Sequence, residues 1–270
     1  MKLNFRSIVR KSLRFVLSKV GLVMISQETY SLLLQLGKFY WGDPFLLLFR
    51  NPERVRELIV HSKSGVRQDL FVISELGFKS NGFFVEVGAF DGITSSNTAM
   101  LENKFSWSGI AIEPSKKLGH KLEMNRSCLV DHRAVWSHSG LELQFEELGD
   151  SQLSTLADFV RGGIQGSNRQ TITNGSTYLV NTISLNDLLL EYNAPNDIDY
   201  ISIDTEGSEF EILRTFDFAR FNVSIFTIEH NYDEVMRSKI QALMFANGFE
   251  VRYPEISHQD DWFVKVGLSI

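Results

Sequence analysis

The chain has 270 residues, 43% of them hydrophobic and 12% aromatic, enough apolar material for a full core. A net charge of −6 argues against a general nucleic-acid binder, which is ordinarily basic. The single cysteine, Cys128, excludes an internal disulfide and a cysteine-built zinc site, as a reducing, cytoplasmic compartment permits.

No acid precedes Glu28, while Lys2, Arg6, Arg10 and Arg14 recur at helical spacing with Lys11 beside them. Phe5, Ile8, Val9, Leu13, Val16, Leu17 and Val20 supply an apolar face for the same helix. The preferred reading is a helix packed on the body of the protein with its basic face in water. The sharper one is reversible docking of residues 1–20 on an anionic membrane surface. Lys19 interrupts the apolar run, which tells against a signal peptide and against a bilayer span. Residues 1–64 read as a helical extension, broken at Gly21, at Trp41 to Pro44 and at Asn51-Pro52. Pro52 suits the first turn of a helix.

Residues 65–270 form the main domain. Gln68 to Leu76 reads as a helix stopped by Gly77, and from Gly82 onward the pattern becomes strand, turn, helix. Residues 83–87 and 109–113 are the first two strands. Leu129 to Val135 is a third, interrupted by Asp131, His132 and Arg133, and Leu141 to Glu146 alternates as a half-exposed strand does. Between Glu146 and Tyr178 runs a polar, glycine-rich stretch, read as an acceptor loop. Ser184 caps the next helix, with Asp187 at its third position. Strands follow at 198–204 and 224–229, and 249–253 with 262–266 make an antiparallel hairpin at one sheet edge.

Several strand ends carry acids: Glu86 and Asp91, Glu113, Asp204 with Glu206, and Glu229 beside His230. In a parallel sheet these ends share one crevice. Any one acid is accounted for equally well by capping of the following helix, but capping does not require a carboxylate at every strand end. A dinucleotide loop places a second glycine where pyrophosphate approaches bare backbone. Here the loop is Gly88-Ala89-Phe90-Asp91-Gly92; Phe90 crowds a diphosphate and Asp91 repels it. S-adenosylmethionine fits instead: its sulfonium is cationic, its amino group seeks acids, and its ribose diol can bind Glu113. His230 is the candidate general base, with Asp204 as the alternative; the plain reading of His230 is a partly buried histidine bonded to backbone. A divalent cation held by Asp204, Glu206 and Glu229 ranks below a metal-free site.

Four linked motifs resemble the FkbM family of S-adenosylmethionine-dependent methyltransferases. They are Phe84 to Ala89 through Asp91-Gly92; Ser96-Asn97-Thr98 with Leu101-Glu102; Trp107 with Gly109 to Pro114; and Ile198 to Glu209. The resemblance implies an α/β fold with a class I methyltransferase (Rossmann-like), mostly parallel seven-stranded sheet and helices on both faces. It also implies O-methylation of a hydroxyl on a glycan, lipid-linked saccharide or secondary metabolite. By matched position it puts Glu86, Gly88, Ala89, Asp91, Gly92, Asn97, Glu113 and Pro114 at the cofactor and Glu206 and Glu209 on the acceptor side. A lysine common before the family's last acidic motif is absent: Ser202 and Ile203 stand there. The alternative function is a non-catalytic interaction module that keeps the fold.

Overall fold

The computed structural model describes residues 48–148, 155–156 and 175–268. The chain divides after His61 into two units. Of the first, residues 48–61 are described and carry α1 (Pro52–Leu58), with Pro52 in its first turn and Glu53 near its positive end. The basic amino-terminal helix and the earlier breaks lie outside the described residues.

In the second unit, α2 (Gln68–Glu75) precedes β1 (Phe83–Val87). Next come α3 (Ala99–Phe105), β2 (Ser108–Ile112), α4 (Lys116–Asn125), β3 (Leu129–Asp131) and β4 (Ala134–Trp136). The chain continues through β5 (Glu142–Leu148), β6 (Thr155–Leu156), β7 (Gly175–Ser184), α5 (Leu185–Glu191) and β8 (Asp197–Ile203). It ends with α6 (Glu209–Leu213), β9 (Asn222–Glu229), α7 (Glu234–Ala246), β10 (Phe249–Arg252) and β11 (Asp260–Lys265).

Seven strands form the main sheet in the order β10-β11-β9-β8-β1-β2-β3. Only β11 runs against the rest, pairing antiparallel with both β9 and β10. The hairpin expected from 249–253 and 262–266 is therefore present, inserted so that its second strand meets β9. Strand order reverses between β1 and β8, leaving a crevice beyond their carboxyl ends.

Side chains alternate across each strand, and the two faces differ. Val85, Val87, Ile201, Ile203, Phe226 and Ile228 pack with Leu188 of α5, Leu213 of α6 and Met244 of α7 in one apolar cluster. On the other face Phe71 of α2 stacks on Trp262 of β11 at 4.7 Å, and Leu122 of α4 packs on Ala111. Helices thus cover both faces. This second face also carries a polar strip: Glu86 lies opposite Ser202 in register, and Ser202 opposite Thr227.

The expected third strand is two. After β3 the backbone turns at His132-Arg133, because the Asp131 carboxylate takes both the backbone N–H of Arg133 (2.7 Å) and its guanidinium (2.6 Å). β4 then leaves the main sheet and joins a second one, ordered β4-β7-β5-β6. β7 begins at Gly175, so the end of the polar stretch is strand, paired antiparallel with β5. The rest of the expected acceptor loop, 149–154 and 157–174, lies outside the described residues. Ser184 caps α5 as expected, its hydroxyl accepting from the Asp187 N–H.

Candidate active site

A cavity of about 380 Å³ opens at the switch point, within the range of small-molecule sites. Its floor is the turn after β1. Gly88 and Ala89 donate to the Ile112 carbonyl at 3.0 and 2.9 Å, tying the turn to the end of β2. Gly88 has φ +84°, and a Cβ there would collide with the Asp204 backbone.

Glu113 and Pro114 follow β2 and line the cavity. The Glu113 carboxylate is held by two backbone donors, Phe90 N–H at 3.0 Å and Ser115 N–H at 2.8 Å. Burial raises its pKa to about 7 against those hydrogen bonds. Each oxygen keeps acceptor capacity for a further donor.

Glu86 and Asn97 also line the cavity. Glu86 carries an ion pair with Arg126 at 3.0 Å and accepts from Asn97 N–H, Thr98 Oγ1 and Ser96 Oγ. Asn97 donates to Ser202 Oγ at 2.9 Å and accepts from Ser64 Oγ at 2.8 Å. Arg126 had no signal of its own in the sequence: a lone arginine after a helix does not announce a partner forty residues earlier.

Two residues of the glycine loop sit elsewhere. Asp91 and Gly92 are not among the residues lining the cavity. The Asp91 carboxylate closes the loop, accepting from Ile93 N–H, Thr94 N–H and Thr94 Oγ1, and its pKa is lowered by those hydrogen bonds despite partial desolvation. Gly92 has φ +81°, and a Cβ on it would lie 2.7 Å from Arg126 Cγ and from Leu122 Cδ1.

The far wall carries Asp204, Glu206 and Glu229, whose carboxylate oxygens lie within 4.8 Å of one another. Asn231 Nδ2 bridges two of them, donating to Glu229 at 2.8 Å and to Glu206 at 3.2 Å. Glu229, buried and facing the charges of Asp204 and Glu206, is pushed well above the usual carboxylate range and donates a hydrogen bond to Asp204. Asp204 is open to the cavity yet ringed by protein on its other sides. Desolvation and the charge of Asp260 raise its pKa to about 7. Glu209 is buried and does not line the cavity; its Oε1 accepts from Thr205 N–H, Thr205 Oγ1 and Gly207 N–H, shaping the turn that presents Glu206.

His230 is buried and does not line the cavity. Strand alternation turns it to the opposite side from Glu229, toward Arg237, Glu234 and Asp261. Its Nδ1 accepts the Tyr232 N–H at 3.1 Å, and burial lowers its pKa, so the ring is neutral. The parity of neighbouring residues was the available sequence signal. Cys128 is half-buried, and burial lifts its thiol to about 12, leaving it unreactive.

The mostly parallel seven-stranded sheet, with one reversed strand and a cavity at its switch point, defines a Rossmann-like class I methyltransferase fold. The methyltransferase FkbM domain matches residues 86–251, and the chain belongs to that family. No curated protein sequence matches it. Among solved structures, the METTL16 MTase domain aligns at 8% identity with a TM-score of 0.39, covering 78% of this chain and 66% of its own. The precorrin-6y C5,15-methyltransferase from Geobacter metallireducens GS-15 aligns at 10% identity with a TM-score of 0.37, over 73% of this chain and 85% of its own.

Proposed function

We propose that this protein is an S-adenosylmethionine-dependent methyltransferase that methylates a hydroxyl of a small molecule or glycan. The observation that carries this reading is the sign of the cavity wall. Glu113, Asp204 and Glu206 line it beside the Arg126-paired Glu86 and the hydrogen-bonded Glu229, and no lysine, arginine or histidine is among its described lining residues. Such a wall favours a cationic ligand and repels a pyrophosphate. S-adenosylmethionine carries a sulfonium and an ammonium; a nicotinamide dinucleotide brings two phosphates.

The residues present fit the cofactor. Glu113, with its oxygens fixed by backbone N–H groups, would hold the ribose hydroxyls. Phe90, Ile112 and Leu118 offer apolar surface for the base. When bound, S-adenosylmethionine supplies an electrophilic methyl group, and the protein's task is largely to align an oxygen behind it. Asp204 would take the proton of that hydroxyl. A carboxylate with a pKa near 7 is ionised in useful fraction and still basic enough to accept it. The hydrogen bond from Glu229 fixes the orientation of Asp204.

No metal is invoked, because Asn231 and the Glu229–Asp204 hydrogen bond already hold the three acids together. Transfer is therefore expected to persist in a chelator. Among the described residues no helix is long and apolar enough to cross a membrane. For residues 1–20 the preferred reading stays a packed helix; reversible docking on an anionic surface is the rival, and vesicle sedimentation of chains with and without them decides between the two.

Calorimetric titration tests the central reading. S-adenosylmethionine is expected to bind and NAD is not. Binding of NAD alone, or of neither ligand, would overturn it.

A further inference from the structure

We propose that Arg126 is a positioning residue of the cofactor cavity, acting through Glu86 to set the wall formed by residues 94–97; the inference rests on the methyltransferase reading above. Arg126 follows α4, and its side chain is wholly buried. One guanidinium reaches three parts of the fold. Nη1 donates to Glu86 Oε2 on β1 (3.0 Å), to Ser96 Oγ (3.2 Å) and to the Gly92 carbonyl (3.4 Å). Nη2 donates to Thr98 Oγ1 (2.8 Å), and Nε to Glu102 on α3.

Glu86 is saturated by the same network. Asn97 N–H and Thr98 Oγ1 each donate at 2.6 Å and Ser96 Oγ at 3.0 Å, in addition to Arg126. A carboxylate offers about four acceptor sites, and these are spent inside the protein. Glu86 thus faces the cavity as a hub rather than as a free ligand for an ammonium. Its charge is matched internally by Arg126.

Gly92 gives the network a second signature. The loop passes so close over the Arg126 stem that a side chain would not fit. The left-handed φ of +81° at Gly92 and the close approach of both the Arg126 stem and Leu122 together call for glycine at this position. Ser96 and Asn97, which line the cavity, are placed where β1, the loop and Arg126 meet. A lysine keeps the charge but lacks the planar fork that reaches several acceptors at once.

The test separates positioning from bulk stabilisation by comparing R126K with E102Q. Glu102 bonds Arg126 from outside the cavity, and glutamine keeps an oxygen for its Nε. Both variants are expected to lower the melting temperature. R126K is expected to weaken S-adenosylmethionine binding about tenfold or more, with E102Q, which leaves the fork of Arg126 on Glu86 and Thr98 intact, losing clearly less. T98V, which removes the hydroxyl shared by Glu86 and Arg126, is expected to weaken binding in the same direction and serves if R126K does not fold. Hydrogen exchange without ligand is expected to quicken at the amides of residues 94–97 in R126K or T98V but not in E102Q. Wild-type affinity and exchange in R126K and T98V, or equal losses in E102Q, would overturn the proposal. If the wild type fails to bind S-adenosylmethionine, the methyltransferase reading falls, and the exchange pattern still decides whether Arg126 sets the wall.

Discussion

Gly88 and the carbonyl of Asp204 approach so closely that a Cβ on Gly88 would lie 1.8 Å from the carbonyl oxygen. One residue follows β1 and the other follows β8, and the Asp204 N–H donates to the Val87 carbonyl at 3.0 Å. The switch point of the sheet is closed by this contact. Gly88→Ala must strain a left-handed residue and push two backbones apart, a cost of about 2–3 kcal/mol. The melting temperature is expected to fall by roughly 4–12 °C, with loss of S-adenosylmethionine binding. Calorimetry on the folded variant checks both.

Glu113, Asp204 and Asp260 each have a pKa raised to about 7, first by desolvation. A carboxylate raised on folding stabilises the native state fully below its unfolded pKa, and that contribution is lost as pH rises through the folded value. Melting of the ligand-free protein between about pH 5 and 8 is expected to show this decline. Glu113→Gln, permanently neutral, is expected to gain on the wild type as pH rises through that window. A cationic ligand has the opposite demand, so S-adenosylmethionine binding is expected to tighten with pH. Glu113→Gln is expected to weaken it by about tenfold to a hundredfold. An equal slope in wild type and variant would refute the assignment of Glu113.

Asp204 lines the cavity and His230 does not. Asp204→Asn removes the proposed base and is expected to slow transfer by about a hundredfold to ten-thousandfold. His230→Asn keeps an acceptor near Nδ1 for the Tyr232 N–H and is expected to retain most of the activity. The measurement is label transferred from methyl-tritiated S-adenosylmethionine into an extract of cells lacking this chain. Loss of transfer in His230→Asn with intact cofactor binding would restore the histidine as base.

Glu209 gathers three donors of one turn on a single oxygen. Glu209→Ala leaves the half-buried N–H groups of Thr205 and Gly207 without it and is expected to cost about 1–3 kcal/mol, read from urea denaturation. Slower methyl transfer with nearly unchanged cofactor affinity should accompany it if Glu206, which the turn presents to the cavity, serves the acceptor as proposed.

The sequence was most legible where structure is local. Apolar runs ending in Glu86, Glu113, Asp204 and Glu229 gave strands that do converge on one crevice, because a parallel sheet aligns its carboxyl ends. The division of Leu129 to Val135 was harder to see: the Asp131–Arg133 clasp that breaks it looks like ordinary strand polarity. β7 was hidden in a polar stretch because its burial depends on β5 and β4, not on its own pattern. Glu209 and Asp91 matched motifs and turned out to shape loops, since a motif specifies residue types but not which atoms face the ligand.

By itself, then, the sequence determined β1, β2, β8, β9 and the closing hairpin, the glycine after β1, and the acids at the carboxyl ends of β1, β2, β8 and β9. Hydrophobic period and turn chemistry act over a few residues and are written in the chain. Only the tertiary structure decided which acids face the cavity, that Glu86 is bound to Arg126, and that His230 looks away from its neighbour Glu229. Those outcomes depend on contacts between residues distant in the chain and on the alternation of a strand already fixed in its sheet.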